Sequence, residues 1–298
     1  MRFLIRGALL CLLTTVVDAH TVDAVPAGGW RWSFSPWVVF CVAGSGLLYA
    51  TGYFNLWRQG GPRRSAFKLR TAAFVAGWLS VAVALMSPLH AAGARSFSLH
   101  MVQHEILIVV AAPLLVAAGP WTIILRALPP DRRHHLKSLF RDRAWRRLRS
   151  GWAFPLLAWL GHAAVLWLWH LPPFFDRALQ NESIHNIEHL SFFLSALMFW
   201  SVAIGPRARH RQGLVLLFLF TTMIHSGALG ALLALAHRPW YRAYLESDST
   251  AVLTPLVDQQ LGGLIMWMPA GFVYVLAAMA LMARWTLMPR ALAAMHRS

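Results

Sequence analysis

Residues 213–236 read GLVLLFLFTTMIHSGALGALLALA, an apolar run without a single Asp, Glu, Lys or Arg. A helix needs about 20 such residues to cross the hydrocarbon core of a bilayer. Runs of comparable length and character recur along the chain at roughly 36–57, 68–88, 99–126, 152–171, 186–205 and 260–284. The sequence therefore predicts an all-α, polytopic membrane protein, a bundle of seven transmembrane helices.

The composition of the whole chain supports this class. Of its 298 residues, 58% are hydrophobic and only 13% are charged, whereas a soluble domain carries about 25% charged residues. The fifteen Trp residues suit a protein whose amphipathic rings lie at the level of the lipid headgroups. No segment is polar and long enough to form a separate soluble domain, so we expect residues 20–298 to form one transmembrane domain.

The first 19 residues, MRFLIRGALLCLLTTVVDA, have the pattern of an export signal. Arg2 and Arg6 precede a short apolar core, and the small residues at its end suit cleavage after Ala19. The apolar core is too short to span a bilayer. The sequence therefore predicts a cleaved signal peptide over residues 1–19.

The net charge of +16 is concentrated in alternate connections. Arg and Lys crowd the connections after the first, third and fifth predicted spans and the C-terminal tail, and are sparse elsewhere. Cytoplasmic loops carry such an excess, so we expect the mature N-terminus outside and the C-terminus in the cytoplasm. This arrangement explains the charge without a nucleic-acid partner. The densest stretch, residues 131–149, is best interpreted as a topology determinant, with binding to anionic membrane lipids as the alternative.

Two histidine pairs open predicted spans on the outer side. His100 and His104 lie in HMVQHE, and His185 and His189 lie in HNIEH, around Glu188. Residues four apart share one face of a helix. Two such pairs at equal depth can supply four nitrogen ligands, so we predict a shared metal or cofactor site. The alternative for each single histidine is an amphipathic side chain at the membrane surface.

Further residues are candidates to support this site. The seventh predicted span begins DQQLGGLIMWMPAG, which brings Asp258 and Gln259 to the same level and Met266 about two turns deeper. Glu188 and Asp258 are candidates to orient ligating imidazoles, as carboxylates around metal sites commonly do. His225 lies near the middle of its span and suits either a ligand or a hydrogen bond between helices.

Three other outer histidines are expected at the membrane interface rather than in the site: His90, His170 and His237. The two cysteines, Cys11 and Cys41, lie in the predicted signal peptide and in an apolar run, so they supply no thiolate site. Imidazole with nearby thioether sulfur favours copper, and haem held by two histidines is the second choice.

Residues 185–189 also match the H-x-x-E-H signature of a class of zinc proteases. Those proteases need a further downstream ligand and a substrate cleft, and the sequence indicates neither. It also indicates no nucleophile or general base, so we expect a protein that is not an enzyme.

Taken together, the predicted spans and the stretches HMVQH, HNIEH and DQQLGGLIMWMPAG resemble the CtaG-type assembly factors of caa(3)-type cytochrome c oxidase. The resemblance covers roughly residues 36–290. It implies a protein of the bacterial inner membrane that helps to make active haem–copper oxidase, with oxidase subunits as partners and copper as the most plausible cargo. Two rival hypotheses remain: an ion transporter with a path through His225 and His162, and a haem-binding electron-transfer protein.

Overall fold

The computed structural model describes residues 32–59, 65–139, 151–205, 208, 211–245 and 253–295. The predicted signal peptide and the end of the basic stretch 131–149 lie outside these ranges. Every regular element within them is helical. The helices are α1 (Pro36–Arg58), α2 (Ser65–Met86), α3 (Pro88–Gly93), α4 (Phe97–Glu105), α5 (Ala112–Ala118), α6 (Trp121–Ile124), α7 (Pro130–Leu139), α8 (Ala153–Trp169), α9 (Pro172–Gln180), α10 (Glu182–Ala203), α11 (Gln212–Ala234) and α12 (Pro255–Met295).

Within the described residues, five helical segments are long and apolar enough to cross a membrane. They are Pro36–Arg58, Ser65–Met86, Phe97–Ala118, Gln212–Ala234 and Pro255–Arg284. Helices α8 and α9, which meet at an angle of 74°, make a sixth if they are taken as one broken span. The structure thus supports a multi-pass membrane protein.

The predicted count of seven spans depends on α10. This helix has 22 residues and coincides with the fifth predicted span, but its first half carries Glu182, Glu188 and both histidines of HNIEH. These polar residues lower its mean hydropathy, so its composition does not mark it as a span. A membrane span formed by α10, and with it the count of seven, remains a prediction, as does the orientation of the bundle.

The third predicted span is shorter than expected and is not a uniform helix. Between α4 and α5 the chain forms a π-helical turn, Ile106–Ala111, and α5 ends at Gly119 in the left-handed region with φ 55°. In π geometry the next N–H would come from Pro113, which has none, so the Ile108 carbonyl lacks its partner within the helix. Trp200 of α10 supplies one, because its Nε1–H donates to that oxygen at 2.8 Å.

The main core lies between α4, α8, α10, α11 and α12. Helices α11 and α12 approach most closely at glycine, because a Cβ on Gly263 would lie 2.5 Å from the Gly230 carbonyl oxygen. Gly262 faces the ring of Phe97 on α4 in the same way. The missing side chains of this glycine pair thus allow the neighbouring helices to approach closely. This approach brings the start of α12 against the start of α4.

Several helix ends meet at one end of the bundle. They are α3, the starts of α4, α10 and α12, and the end of α8. The connection between α11 and α12 is tied to this end: Tyr241 Oη donates to the His170 carbonyl at 3.0 Å and Tyr244 Oη to the Gly93 carbonyl at 2.8 Å. Most of the outer histidines lie here.

Candidate metal centre

Helix α4 presents His100 and His104 to the interior. Its first turn is fixed from α12: Asp258 accepts hydrogen bonds from the backbone N–H groups of Phe97, at 2.6 Å, and Ser98, at 3.2 Å. A carboxylate is well placed at a helix N-terminus, where backbone N–H groups lack partners within the helix. Both imidazoles are buried, with exposed fractions of 0% and 2%.

Helix α10 carries the second pair and a carboxylate. Asn181 caps its N-terminus, since its side-chain oxygen accepts from the Ile184 N–H at 3.1 Å. His185, Glu188 and His189 follow on one face of the helix and are all buried. The two helices thus bring the predicted pairs together, with Glu188 between them.

The donor atoms of this histidine cluster, which we define as His100, His104, His185, His189 and Glu188, lie close together. One nitrogen from each of His100, His185 and His189 and one oxygen of Glu188 lie within 4.8 Å of one another. The Nε2 atoms of His185 and His189 are 3.2 Å apart. His104 contributes from the side, with its Nε2 3.7 Å from Glu188 Oε1.

Most of these donor atoms have no hydrogen-bond partner among the described residues. Both ring nitrogens of His100 and of His104 and both oxygens of Glu188 are in this state. Buried polar groups are normally paired because leaving them unpaired is costly. A metal ion about 2 Å from each donor needs donors roughly 3–4 Å apart, which is the spacing found between Glu188 and the neighbouring imidazoles. The cluster therefore suits a bound cation.

The structure adds residues that the sequence analysis assigned to the membrane interface. The ring of His90, on α3, lies 5.2 Å from that of His185, and its Nδ1 accepts from Gln103 Nε2 at 2.9 Å. Burial, together with the neighbouring His100, lowers the pKa of His90, so this ring favours its neutral form. His90 belongs to the cluster's wall. The position of His90 in the sequence, one short helix before His100, does not indicate that its ring lies beside the cluster.

His170 and Met101 are also brought to the cluster. His170 directly follows α8 and is buried, with its Nε2 3.5 Å from Met101 Sδ. Met101 lies next to His100 on α4 and is fully buried. The bend between α8 and α9 places His170 here, and sequence spacing alone does not reveal such a bend.

The supporting residues predicted on α12 have other partners. Asp258 holds Ser96, Phe97 and Ser98 rather than an imidazole, so it positions α4 instead of orienting a ligand. Gln259 accepts from the Trp240 N–H at 2.6 Å. Met266 is buried in the main core. The thioether that lies next to a histidine ring is that of Met101, beside His170, rather than that of Met266.

His225 lies apart from the cluster, on α11. Its ring centroid is 6.2 Å from that of Trp159, and neither of its ring nitrogens has a hydrogen-bond partner among the described residues. His237 follows α11 in a connection. The structure therefore gathers six of the outer histidines, with Glu188 and Met101, at one end of the bundle, and leaves His225 deeper inside.

The fold and this site define a class: a multi-pass helical membrane protein with a buried group of imidazole, carboxylate and thioether donors at one end. Such a donor set suits a transition metal. The chain belongs to the family described as the cytochrome c oxidase caa3 assembly factor, whose model matches residues 47–287.

Comparison with curated proteins finds mycobacterial relatives. The chain is 25% identical over 256 residues to the uncharacterized protein Mb0105 of Mycobacterium bovis, an alignment that covers 82% of this chain and 38% of that protein. It is 24% identical over 261 residues to the uncharacterized protein ML1998 of Mycobacterium leprae, covering 85% of this chain and 39% of the relative. The chain thus spans less than half the length of these relatives. No solved structure matches the chain significantly.

Proposed function

We propose that this protein binds copper at the histidine cluster and delivers it to a haem–copper oxidase during assembly of that enzyme. One observation carries the proposal: three imidazoles and a carboxylate offer donor atoms within 4.8 Å of one another. Membership of an oxidase assembly family supplies the biological context. Delivery of an ion requires no covalent chemistry, in keeping with a family that is not catalytic in general.

The donor types favour copper over other metals and over haem. Imidazole accepts zinc, copper, iron and nickel, whereas thioether sulfur selects Cu(I), and Met101 lies within the same group of side chains. The ring centroids of His185 and His189 are 4.3 Å apart, and that of His100 is 5.2 Å from His185. This packing suits a single ion and leaves little room for a macrocycle between the rings.

The position of the cluster supports delivery on the outer side. The cluster lies at the starts of α4 and α10, whereas Arg-rich connections follow the other ends of these two predicted spans in the sequence, and the positive-inside rule assigns such connections to the cytoplasm. In a bacterial inner membrane the end with the cluster would face the periplasm. An oxidase subunit in the same membrane would receive the ion there.

Metal analysis with an optical spectrum tests the site. Wild type is compared with His104→Ala/His189→Ala, and His162→Ala/His225→Ala serves as the control that removes two buried histidines elsewhere. After incubation with copper and removal of excess, we expect copper in the wild type and the control, little in the first variant, and no Soret band. Equal copper in wild type and His104→Ala/His189→Ala would contradict the proposal.

An ion transporter is the second candidate, because His162 Nε2 and both ring nitrogens of His225 are buried in the bundle without partners among the described residues. Transport predicts copper uptake into sealed vesicles that contain only this protein, and loss of uptake in His162→Ala/His225→Ala. Delivery predicts no uptake, together with lower oxidase activity in cells that carry His104→Ala/His189→Ala.

A further inference from the structure

His170 and Met101 adjoin the histidine cluster but lie outside the group of four donor residues that carries the function proposed above. His170 is 2% exposed, and its Nε2 lies 3.5 Å from the sulfur of Met101. Its Nδ1 lies 2.7 Å from the carbonyl oxygen of Leu166, one turn earlier in α8. The hydrogen bond from Tyr241 Oη to the His170 carbonyl fixes the backbone at the same place.

The bond to Leu166 decides which ring nitrogen of His170 carries the proton. A backbone carbonyl only accepts, so Nδ1 must be the donor. Burial among other imidazoles disfavours a charged ring, and a neutral ring protonated at Nδ1 has an unprotonated Nε2. A thioether has no proton to donate either. The contact between His170 Nε2 and Met101 Sδ therefore joins two lone-pair donors and is not a hydrogen bond.

Two atoms that face each other with lone pairs can both coordinate one cation. Metal-bound histidines almost always donate their other ring N–H to a carbonyl or carboxylate, which fixes the tautomer and the ring orientation. His170 already has this bond. An imidazole nitrogen paired with a thioether sulfur selects Cu(I) among the common metals.

A third donor is available on the same face of α4. His104 lies three residues after Met101, so the two side chains are neighbours on the helix surface. Its ring centroid is 6.2 Å from that of His170, and both of its ring nitrogens are buried without partners among the described residues. His104 is also the member of the histidine cluster that lies outside the four-donor group of His100, His185, Glu188 and His189.

We propose that Met101, His170 and His104 form a second Cu(I) site, so that the protein holds two copper ions at this end of the bundle. The inference rests on the proposed copper-handling function. Glu188 Oε1 lies 3.8 Å from His100 Nε2 and 3.7 Å from His104 Nε2. The carboxylate is thus placed between the two sites, where its negative charge offsets part of the charge of two neighbouring cations.

The test counts copper and identifies its ligands. Purified full-length protein is loaded with Cu(I) without oxygen, and copper per chain is measured together with X-ray absorption at the copper edge. We expect two copper ions and a sulfur ligand in the wild type, and one copper ion with only nitrogen and oxygen ligands in Met101→Leu. The matched control is Met266→Leu, the same exchange at a buried methionine of α12, which should keep both ions and the sulfur signal.

The outcomes separate this inference from the proposed function. Exchange of Met for Leu nearly conserves volume and is well tolerated in cores, and retention of one copper ion in Met101→Leu would confirm that this variant folds. Unchanged copper and sulfur in Met101→Leu would overturn the second site alone. The second site alone would also be overturned if the wild type bound a single copper ion and the His189→Ala variant bound none. A wild type that binds no copper would overturn both the second site and the proposed function.

Discussion

The histidine cluster and a pair of histidines elsewhere in the bundle, His162 and His225, both have buried ring nitrogens, yet they are held in different ways. His162 Nδ1 is 3.1 Å from Ser195 Oγ, and its ring lies against Phe199 at 5.2 Å. In the cluster, imidazoles pack on one another and on Glu188 as well as on the rings of Phe175 and Phe192. Ring nitrogens without partners occur in both groups, but among the described residues only those of the cluster converge with donor atoms of further side chains. Convergence of donor atoms, more than burial, is what indicates a metal site.

Removal of one cluster imidazole should lower copper affinity more than any other single substitution considered. It tests directly whether the cluster and the other two histidines differ in metal binding. His100→Ala deletes a donor of the four-atom group, so we expect copper affinity to fall by about a hundredfold or more, beyond the usual effect of losing an outer-sphere partner. His162→Ala should change affinity by no more than about twofold, since such a residue lies outside the metal's environment. Competition with a Cu(I) chelator measures both. Equal losses in the two variants would show that the mid-bundle pair also holds copper.

Two carboxylates, Glu188 and Glu105, allow the same comparison for acidic side chains. Glu188 lies between cluster imidazoles, while Glu105 on α4 lies outside the group of four donor residues. Glu188→Gln keeps the shape and removes the negative charge, so copper affinity should fall by roughly 10- to 100-fold. Glu105→Gln is the matched control and should leave affinity unchanged. An effect of Glu105→Gln as large as that of Glu188→Gln would mean that net buried charge matters rather than coordination.

The core of the candidate site follows from the sequence because helix periodicity is a local property. The i,i+4 spacing of His100 with His104, and of His185 with His189, places each pair on one face wherever the helix lies. Equal distance from the predicted membrane surface then brings the two pairs to one level. Glu188 accompanies its pair for the same reason. The structure has all five side chains together.

What the sequence did not indicate depends on tertiary geometry. His170 joins the cluster because the chain bends by 74° between α8 and α9, and no periodic pattern encodes that angle. Spacing predicts a depth for Asp258 but not its partners, because Ser96, Phe97 and Ser98 belong to a distant part of the chain. At the π-helical turn after Glu105, the Ile108 carbonyl accepts from Trp200 of another helix. Each of these depends on contacts between residues far apart in the chain.

Asp258 tests whether the cluster depends on the positioning of α4. Asp258→Asn removes the charge that accepts from Ser96, Phe97 and Ser98, so we expect a loss of about 1–3 kcal/mol in stability. Copper affinity should fall as well, because the same helix carries His100. Thermal unfolding in detergent and chelator competition give the two values.

The matched control is Asp176→Asn. Asp176 accepts from the backbone N–H groups of Arg242 and Ala243, at 3.4 and 3.2 Å, in the connection between α11 and α12. Asp176→Asn should lower the stability less than Asp258→Asn does, and it should leave copper binding intact. Loss of copper binding in Asp176→Asn alone would show that this connection, rather than the start of α4, holds the site together.

Tyr244 should give the smallest effect, and one that depends on pH. Burial, with Glu188 and Asp258 nearby, raises the pKa of Tyr244 well above its usual value of about 10. The unfolded chain ionises near pH 10 while folded Tyr244 stays neutral, so its contribution is complete below pH 10 and declines as the pH rises further. Tyr244→Phe should therefore cost about 1 kcal/mol at pH 8, through the lost bond to the Gly93 carbonyl.

The same substitution should also reduce the loss of stability between pH 9 and pH 11, which unfolding in detergent at several pH values measures. Tyr53→Phe on α1, where the tyrosine stacks on Phe67, is the control. Copper affinity should fall less than in Asp258→Asn, because Tyr244 reaches the site only through Gly93, which ends the helix that carries His90, a residue of the cluster's wall. A large loss of copper in Tyr244→Phe would instead make His90 a ligand, and an unchanged pH dependence would mean that Tyr244 is not shielded from solvent.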